Sequence, residues 1–308
     1  MQADAKACLT EFSQPRQRKR MKTERWIPGL LKGIPVSALP DNCSNQDILS
    51  ETFVTRNGFS VDTNFQRPMR LPNGNVITSV GTVTLPFSFD GEQESYERVF
   101  TILPRSVHDV ILGNKFLGAT KTLTDFRRRI KKKRVSCDKV ARRLNLLGSP
   151  MTRVLSSVNG VCVSAYPDTG SDVMVISKQF AKHLGLEIFT GKRNRTWLEF
   201  VDGSCAETYG MVFDVLWHFG LPYERMVPFE CDFHVLEDLS CPIILSADTL
   251  FGSSAFSAYK NYFYNDVLSD DDLCLIREKQ NCGILRRFFG HPQGQSKLIE
   301  PLHLEYQI

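Results

Sequence analysis

The chain of 308 residues lacks most of the features that mark a common functional class. No run of 18 apolar residues occurs, so no segment is read as crossing a membrane. Residues Met1 to Trp26 are polar and hold no apolar core of the length a secretory signal needs, so secretion is not expected. The nine cysteines are an odd number at irregular spacing with no Cys-x-x-Cys pair, which fits an intracellular chain, cytoplasmic or nuclear, better than a disulfide scaffold. There is no Gly-x-Ser-x-Gly elbow and no phosphate-cradling glycine loop. Cys231 and His234 have a spacing zinc accepts, but no second pair stands at metal-ligand distance in the sequence, so neither metal nor organic cofactor is expected.

What the chain does have is a globular composition, 42% hydrophobic and 23% charged, and enough length for two domains. Its formal charge of +4 is local. Arg16, Arg18, Lys19, Arg20 and Lys22 form one acid-free cluster, and Arg127, Arg128, Arg129, Lys131, Lys132, Lys133 and Arg134 form another. Setting these aside leaves 26 basic groups against 34 acidic ones, so the remainder is acidic. Both clusters read as solvated segments outside a core. Arg127 to Arg134 gives only a weak suggestion of nucleic-acid binding, since no aromatic side chains interleave with the charges for stacking.

The chain repeats itself. Gly33 to Asp41 (GIPVSALPD) returns as Gly160 to Asp168 (GVCVSAYPD), an offset of 127. Ser50, Phe53 and Gly58 match Ser177, Phe180 and Gly185 at the same offset; Gly74 and Gly81 match Gly203 and Gly210 at 129. Phe100, Leu103, Ile111, Leu112 and Leu117 match Phe233, Leu236, Ile244, Leu245 and Leu250 at 133, a drift that loop insertions produce. Each copy alternates like half-buried strand: Val83, Leu85, Phe87 and Phe89 in the first, Phe213, Val215, Trp217 and Phe219 in the second. Pro86 restricts its strand to an edge or a bulge. Ser50 and Ser177 are suitable N-caps for a short helix ending at Gly58 or Gly185. Asn73-Gly74 and Asp202-Gly203 sit between extended runs and favour hairpins. The expected organisation is a basic tail (1–25), a first lobe (26–126), a basic linker (127–150) with a helix over Lys139 to Leu146, a second lobe (151–264) and a C-terminal extension (265–308) with a helix over Asp270 to Gln280.

The repeat centres on Asp168-Thr169-Gly170-Ser171, with apolar runs before and after it. This resembles the active-site loop of aspartic proteases, in which each half contributes one aspartate. The segment from Phe100 to Phe126 is similar to the last strand, glycine turn, helix and dimer-forming strand of a retroviral-type protease, the last of these over Lys121 to Phe126. From Trp26 to Tyr264 the chain resembles the tandem retropepsin-like proteins of fungal genomes. The resemblance implies an all-β fold of two retropepsin-like barrel lobes forming a bilobed pseudo-dimer, and hydrolysis of a peptide or protein substrate by water activated between Asp41 and Asp168. Two carboxyls about 3 Å apart share one proton and so supply acid and base together. Gly170 permits a tight loop whose N–H groups approach the carboxylate. By resemblance, Thr169 bonds across to the other loop, Ser171 bonds its aspartate and favours activity at acidic pH, and the hairpins at Asn73-Gly74 and Asp202-Gly203 are flaps.

Copy one departs from this pattern as Asp41-Asn42-Cys43-Ser44. Asn42 retains the capacity to bond across an interface. A Cβ on Cys43 is expected to strain the loop, at a cost of about 1 to 3 kcal/mol. Copy two has Ile244-Leu245-Ser246 where copy one has Ile111-Leu112-Gly113, a milder change. Three arrangements are compatible with these residues. Asp41 and Asp168 pair within one chain; or lobe two pairs with lobe two of another chain in a homodimer; or neither pairing is competent and the fold serves as an inactive peptide-binding or scaffold module, a domesticated retroelement remnant.

Overall fold

The computed structural model describes residues 21–136, 141–148, 150–224 and 227–265, which all fall within one compact unit. The expected C-terminal helix over Asp270 to Gln280 lies outside the described residues, as does most of the first basic cluster.

The first copy supplies strands β1 (Met21–Leu31), β2 (Ile34–Asp41), β3 (Asp47–Ser50), β4 (Pro68–Arg70), β5 (Val76–Thr78), β6 (Gly81–Phe89), β7 (Ser95–Leu103) and β8 (Val110–Gly113). Next come β9 (Lys131–Ser136) and β10 (Arg142–Leu144). The second copy supplies β11 (Thr152–Val158), β12 (Val161–Pro167), β13 (Val175–Ser177), β14 (Trp197–Phe200), β15 (Cys205–Glu207), β16 (Gly210–Phe219), β17 (Phe229–Leu236), β18 (Ile243–Leu245) and β19 (Phe263–Asn265).

In lobe one the order β2-β8-β3-β7-β6-β1 closes on itself through β1 and β2; in lobe two β12-β18-β13-β17-β16-β11 closes through β11 and β12. Closure removes the free edges of each sheet. The two rings match strand for strand, parallel β2–β8 and β3–β7 recurring as parallel β12–β18 and β13–β17. The chain is thus the all-β pair of like barrels that the duplication predicts. Each ring carries one outer strand at the same place, β9 on β1 and β19 on β11.

Both short helices start where the serines predict. Ser50 Oγ accepts from Phe53 N at 3.0 Å before α1 (Glu51–Arg56). In lobe two Ser177 Oγ accepts from Phe180 N at 3.1 Å before α3 (Lys178–His183); between them lies α2 (Asn114–Ala119), which follows β8. Val83, Leu85, Phe87 and Phe89 are buried on one face of β6 as the alternation requires. Phe213 is only half-buried, because the β16–β17 register shifts between Val212 and Val215 and turns the bulged residues away.

Four expectations are corrected. Strand β6 is interior to its ring; Pro86 is tolerated because its carbonyl, and hence its missing N–H, faces the point where β1 ends and Lys32 N donates to it at 2.8 Å. Lys121 to Phe126 is a series of turns instead of a strand, wound by Phe126 N to Lys121 O at 3.0 Å. Lys131 to Arg134 is not loose but forms β9, paired with Met21 to Trp26. Finally, Arg142–Leu144 is a strand running parallel to β14, where a helix over Lys139 to Leu146 was expected.

Each lobe has its own core, aromatic in lobe one around Phe87, Phe89 and Phe116, and built on Trp217, Phe219 and Phe233 in lobe two. Two further apolar clusters span the lobes. One joins Cys43, Leu144 and Leu146 to Tyr166, Val173 and Ile244; the other joins Ile48, Leu71 and Leu103 to Leu147 and Val201.

Candidate active site

Strand β2 runs parallel to β8 and ends at Asp41, opposite Gly113. Strand β12 delivers Asp168 in the same way, its N–H donating to Leu245 O at 3.1 Å. Each loop then closes on itself, Ser44 N to Asp41 O at 3.2 Å and Ser171 N to Asp168 O at 3.3 Å.

The two loops grip each other. Asn42 N donates to Thr169 Oγ1 at 3.0 Å, and Thr169 N donates to Asn42 Oδ1 at 3.0 Å. The Thr169 hydroxyl then donates to Pro40 O at 2.8 Å. Residues 42 and 169 are 127 apart, the offset of the repeat, so the contact is one patch meeting its own copy, as across a two-fold axis. The cross-interface role expected of Thr169 is present, and the amide of Asn42 fills the place of a second threonine.

This grip brings the carboxyls of Asp41 and Asp168 together, both wholly buried. Cys43 N at 2.9 Å and Ser44 N at 3.1 Å donate to Asp41 Oδ1. Gly170 N donates to Asp168 Oδ1 at 2.8 Å, and Ser171 Oγ donates to Asp168 Oδ2. The serines differ: Ser44 Oγ turns away to Gln46 O at 2.6 Å. No N–H or O–H of the described residues reaches Asp41 Oδ2. The Asp41 and Asp168 carboxyls are close enough for each to shift the other, and two such neighbouring buried groups disfavour carrying two charges at once. Burial, then the Asp168 charge, holds Asp41 well above its usual range. Burial also lifts Asp168, to about 6, against the pull of Ser171 and Gly170. Both carboxyls are thus held above the usual carboxylate range, Asp41 further than Asp168, and they titrate as a pair.

Cys43 does not strain its loop. Neither Cys43 nor Gly170 takes a positive φ, so the loop conformation is open to any residue. At 170 the space is tight: a Cβ there would stand 3.0 Å from Asp41 Cγ and Oδ2 and 3.1 Å from Asn145 Cβ. The Cys43 side chain packs in the inter-lobe cluster, and burial keeps its thiol protonated.

The predicted hairpins form as β4–β5 and β14–β15, with Gly74 and Gly203 at φ of 83° and 78°. Asn73 Oδ1 accepts from Asn75 N at 3.1 Å and Asp202 Oδ1 from Ser204 N at 3.0 Å, closing each turn. Each leans on the opposite lobe, Ser240 N donating to Pro72 O and Val107 N to Val201 O, both at 2.9 Å.

No sequence motif points to the segment that fills the space between loops and hairpins. Leu144, Asn145, Leu146 and Leu147 are buried there. Asn145 Nδ2 donates to Gly170 O at 2.7 Å and stands 3.3 Å from His108 Nε2. Arg143 N donates to Asp172 Oδ2 at 2.8 Å, and Asp172 N returns a bond to Arg143 O at 2.9 Å. Asp172 is itself held by the buried Lys22, whose Nζ lies 2.8 Å from its Oδ2 and 2.7 Å from Ala141 O. Asp172 was legible in principle as the acidic residue next to the loop tetrapeptide; the path of residues 141–148 was not. The second basic cluster is partly spent on the fold: Arg129 pairs with Glu92 and covers Phe89, and Arg127 donates to Phe251 O at 3.2 Å.

No protein-family model matches the chain, and no curated protein is similar to it by sequence. Among solved structures it is similar to the retroviral protease-like domain of Ddi1 from Leishmania major, with 16% identity over 34% of this chain and 80% of that one and a TM-score of 0.25.

Proposed function

We propose that the chain is an aspartic-type endopeptidase of retropepsin-like kind that assembles its acid–base pair in cis, from Asp41 and Asp168. The observation that carries this reading is the buried pair of carboxyls held together by a reciprocal grip of the two loops. Amide hydrolysis without a metal needs one group to take a proton from water as another gives one to the carbonyl oxygen. Asp168, ionised above about pH 6, takes the proton from the attacking water; Asp41 protonates the carbonyl oxygen. The tetrahedral species then collapses with the amine as leaving group; the proton held by Asp168 passes to the amine nitrogen, and one hydroxyl of the species returns its proton to Asp41 as the new carbonyl forms, which restores the starting pair. Because burial outweighs the hydrogen bonds to Asp168, the acid limb of the activity profile is expected near pH 6, above the acidic optimum that the Ser171 hydrogen bond alone suggests.

The test is hydrolysis of a peptide library by the purified chain, with mass-spectrometric detection of new termini, beside Asp168→Asn and Asp41→Asn. Cleavage lost in both variants, with the native chain monomeric in its active form, is the expected result. Cleavage untouched by Asp168→Asn sinks the enzyme reading, and full activity after Asp41→Asn sinks the cis pair. The burial of residues 144–147 in the cleft favours a second reading, a module that holds peptide without cutting it; binding without cleavage in the same assay is its signature.

A further inference from the structure

The segment Arg142 to Gly148 makes the contacts of a bound peptide. Its first part, Arg142–Leu144, is extended, and its main chain is bonded on both sides: to the aspartate loop through Arg143 N and O with Asp172, and to the β14–β15 hairpin through the parallel register Arg142–Leu198, Arg143–Glu199 and Leu144–Phe200. Beyond the aspartates Gly148 N donates to Arg70 O at 2.8 Å, on the hairpin of the other lobe. An extended chain added to strand edges, with side chains alternating into pockets, is the general mode by which proteins hold unfolded peptide. The side chains fit that mode. Leu144 and Leu146 enter the apolar cluster of Tyr166, Val173 and Ile244, while Leu147 enters that of Ile48, Leu71 and Val201 on the opposite side. Between them Asn145 lies against Gly170, on the same glycine face as the Asp41 carboxyl. Its Oδ1 is buried without a donor, an unusual cost for a permanent core residue.

From this placement we infer that residues 142–148 are an intramolecular occupant of the peptide-binding cleft, which closes the site to other peptides until displaced. The inference rests on the peptidase fold reading and extends it to ligand class: an extended segment with leucine-like side chains on either side of a small polar residue, preceded by arginine. Arg143 adds a charge contact, its Nε donating to Glu199 Oε2 at 2.8 Å, so an acidic residue at that position would be rejected.

The experiment compares the full native chain with its L146D/L147D variant, in which two charges cannot stay in apolar pockets. The probe is a fluorescent octapeptide copying residues 141–148, Ala-Arg-Arg-Leu-Asn-Leu-Leu-Gly, followed by anisotropy and by mass spectrometry of the peptide. When the competent state is only a fraction of the population, apparent affinity falls by that fraction, so the variant is expected to bind the octapeptide at least about tenfold more tightly than the native chain. Equal affinity for both, or no binding by either, overturns the inference. If L146D/L147D does not fold, Arg143→Pro serves instead: it deletes one main-chain donor to Asp172 and leaves the leucines in place, and any gain in affinity it shows must exceed that of Arg128→Pro, outside the cleft, or the inference fails. The two readings separate cleanly. Tight binding to the opened chain without cleavage keeps the occupant and removes the peptidase; cleavage at equal rates by native and opened chains keeps the peptidase and removes the occupant.

Discussion

The loop at Asp41 and the loop at Asp168 descend from one sequence and hold the same backbone path, yet they have divided the work. At Asp168 a glycine leaves space for the opposite carboxyl, and a serine hydroxyl adds a donor to its own. At Asp41 a cysteine fills the inter-lobe cluster, the serine hydroxyl looks elsewhere, and one carboxyl oxygen is left facing its partner. The compensation extends to the neighbouring strand. Gly113 must be glycine because a Cβ would stand 2.5 Å from Gln46 O and 2.7 Å from Ser44 O, whereas its counterpart Ser246 is free to cap the next helix, accepting from Thr249 N at 3.3 Å. A symmetric pair of loops would leave the two carboxyls equivalent. The divergence gives them different surroundings, on top of the shared proton that by itself lets one act as acid and the other as base.

The largest expected break in this comparison is at the carboxyls. Asp168→Asn should lower kcat by about 10²- to 10⁴-fold, the range of general acid–base contributions, with little change in KM. Asp41→Asn also lowers kcat, but because its amide takes over the donor role that protonated Asp41 plays toward Asp168, the acid limb of the pH profile should stay near 6. A limb displaced by a unit or more would show that the proton does not reside on Asp41.

Next are the residues that set space. Gly170→Ala drives a methyl against Asp41 and should destabilise by about 1–3 kcal/mol in urea denaturation. Restoring glycine in the other loop does not mirror this: Cys43→Gly should cost about 1–2 kcal/mol, through an emptied site in the apolar cluster and a looser unfolded chain. A gain in stability from Cys43→Gly would contradict the division described above.

For the grip, Thr169→Ala strands Asn42 N and Pro40 O, and Asn42→Ala strands Thr169 N, each at about 1–3 kcal/mol per orphaned buried group. Since the two side chains share one network, the double variant should cost less than the two losses together; additivity in a double-mutant cycle would show that the loops do not depend on each other.

Stability itself should fall as pH rises. Asp168 binds its proton more tightly folded, near 6, than unfolded, near 3.8, so between those values the native state holds more protons and unfolding becomes easier with each step upward. The melting temperature should drop across pH 4 to 6, and Asp168→Asn should flatten that slope. The smallest contrast is between the serines: Ser171→Ala should raise the pH of the acid limb, while Ser44→Ala leaves it in place.

Local signals carried much of this architecture. Ser50 and Ser177 announce their helices because a cap needs only three residues of context, and the grip was legible because Asn42 and Thr169 are the same position used twice. Phe213 misled because a bulge breaks the period of two without marking its place in composition. Residues 142–148 misled more deeply. Their leucines and arginines suit a helix locally, and the partners that draw them into an extended path, Asp172, Leu198 and Arg70, are all distant in sequence. The harmlessness of Cys43 was hidden for a similar reason, since only the packed interface shows where space is tight.

The ion pair between buried Lys22 and half-buried Asp172 joins the first strand of one barrel to the aspartate loop of the other, across 150 residues of chain. Neither barrel is therefore self-sufficient. Cutting the chain at Trp26, ahead of the first copy, removes most of the stretch of β1 that pairs with β9 and leaves the half-buried Asp172 without its cation. The barrels are two in pedigree but one in thermodynamics, and heating should take both apart in a single transition.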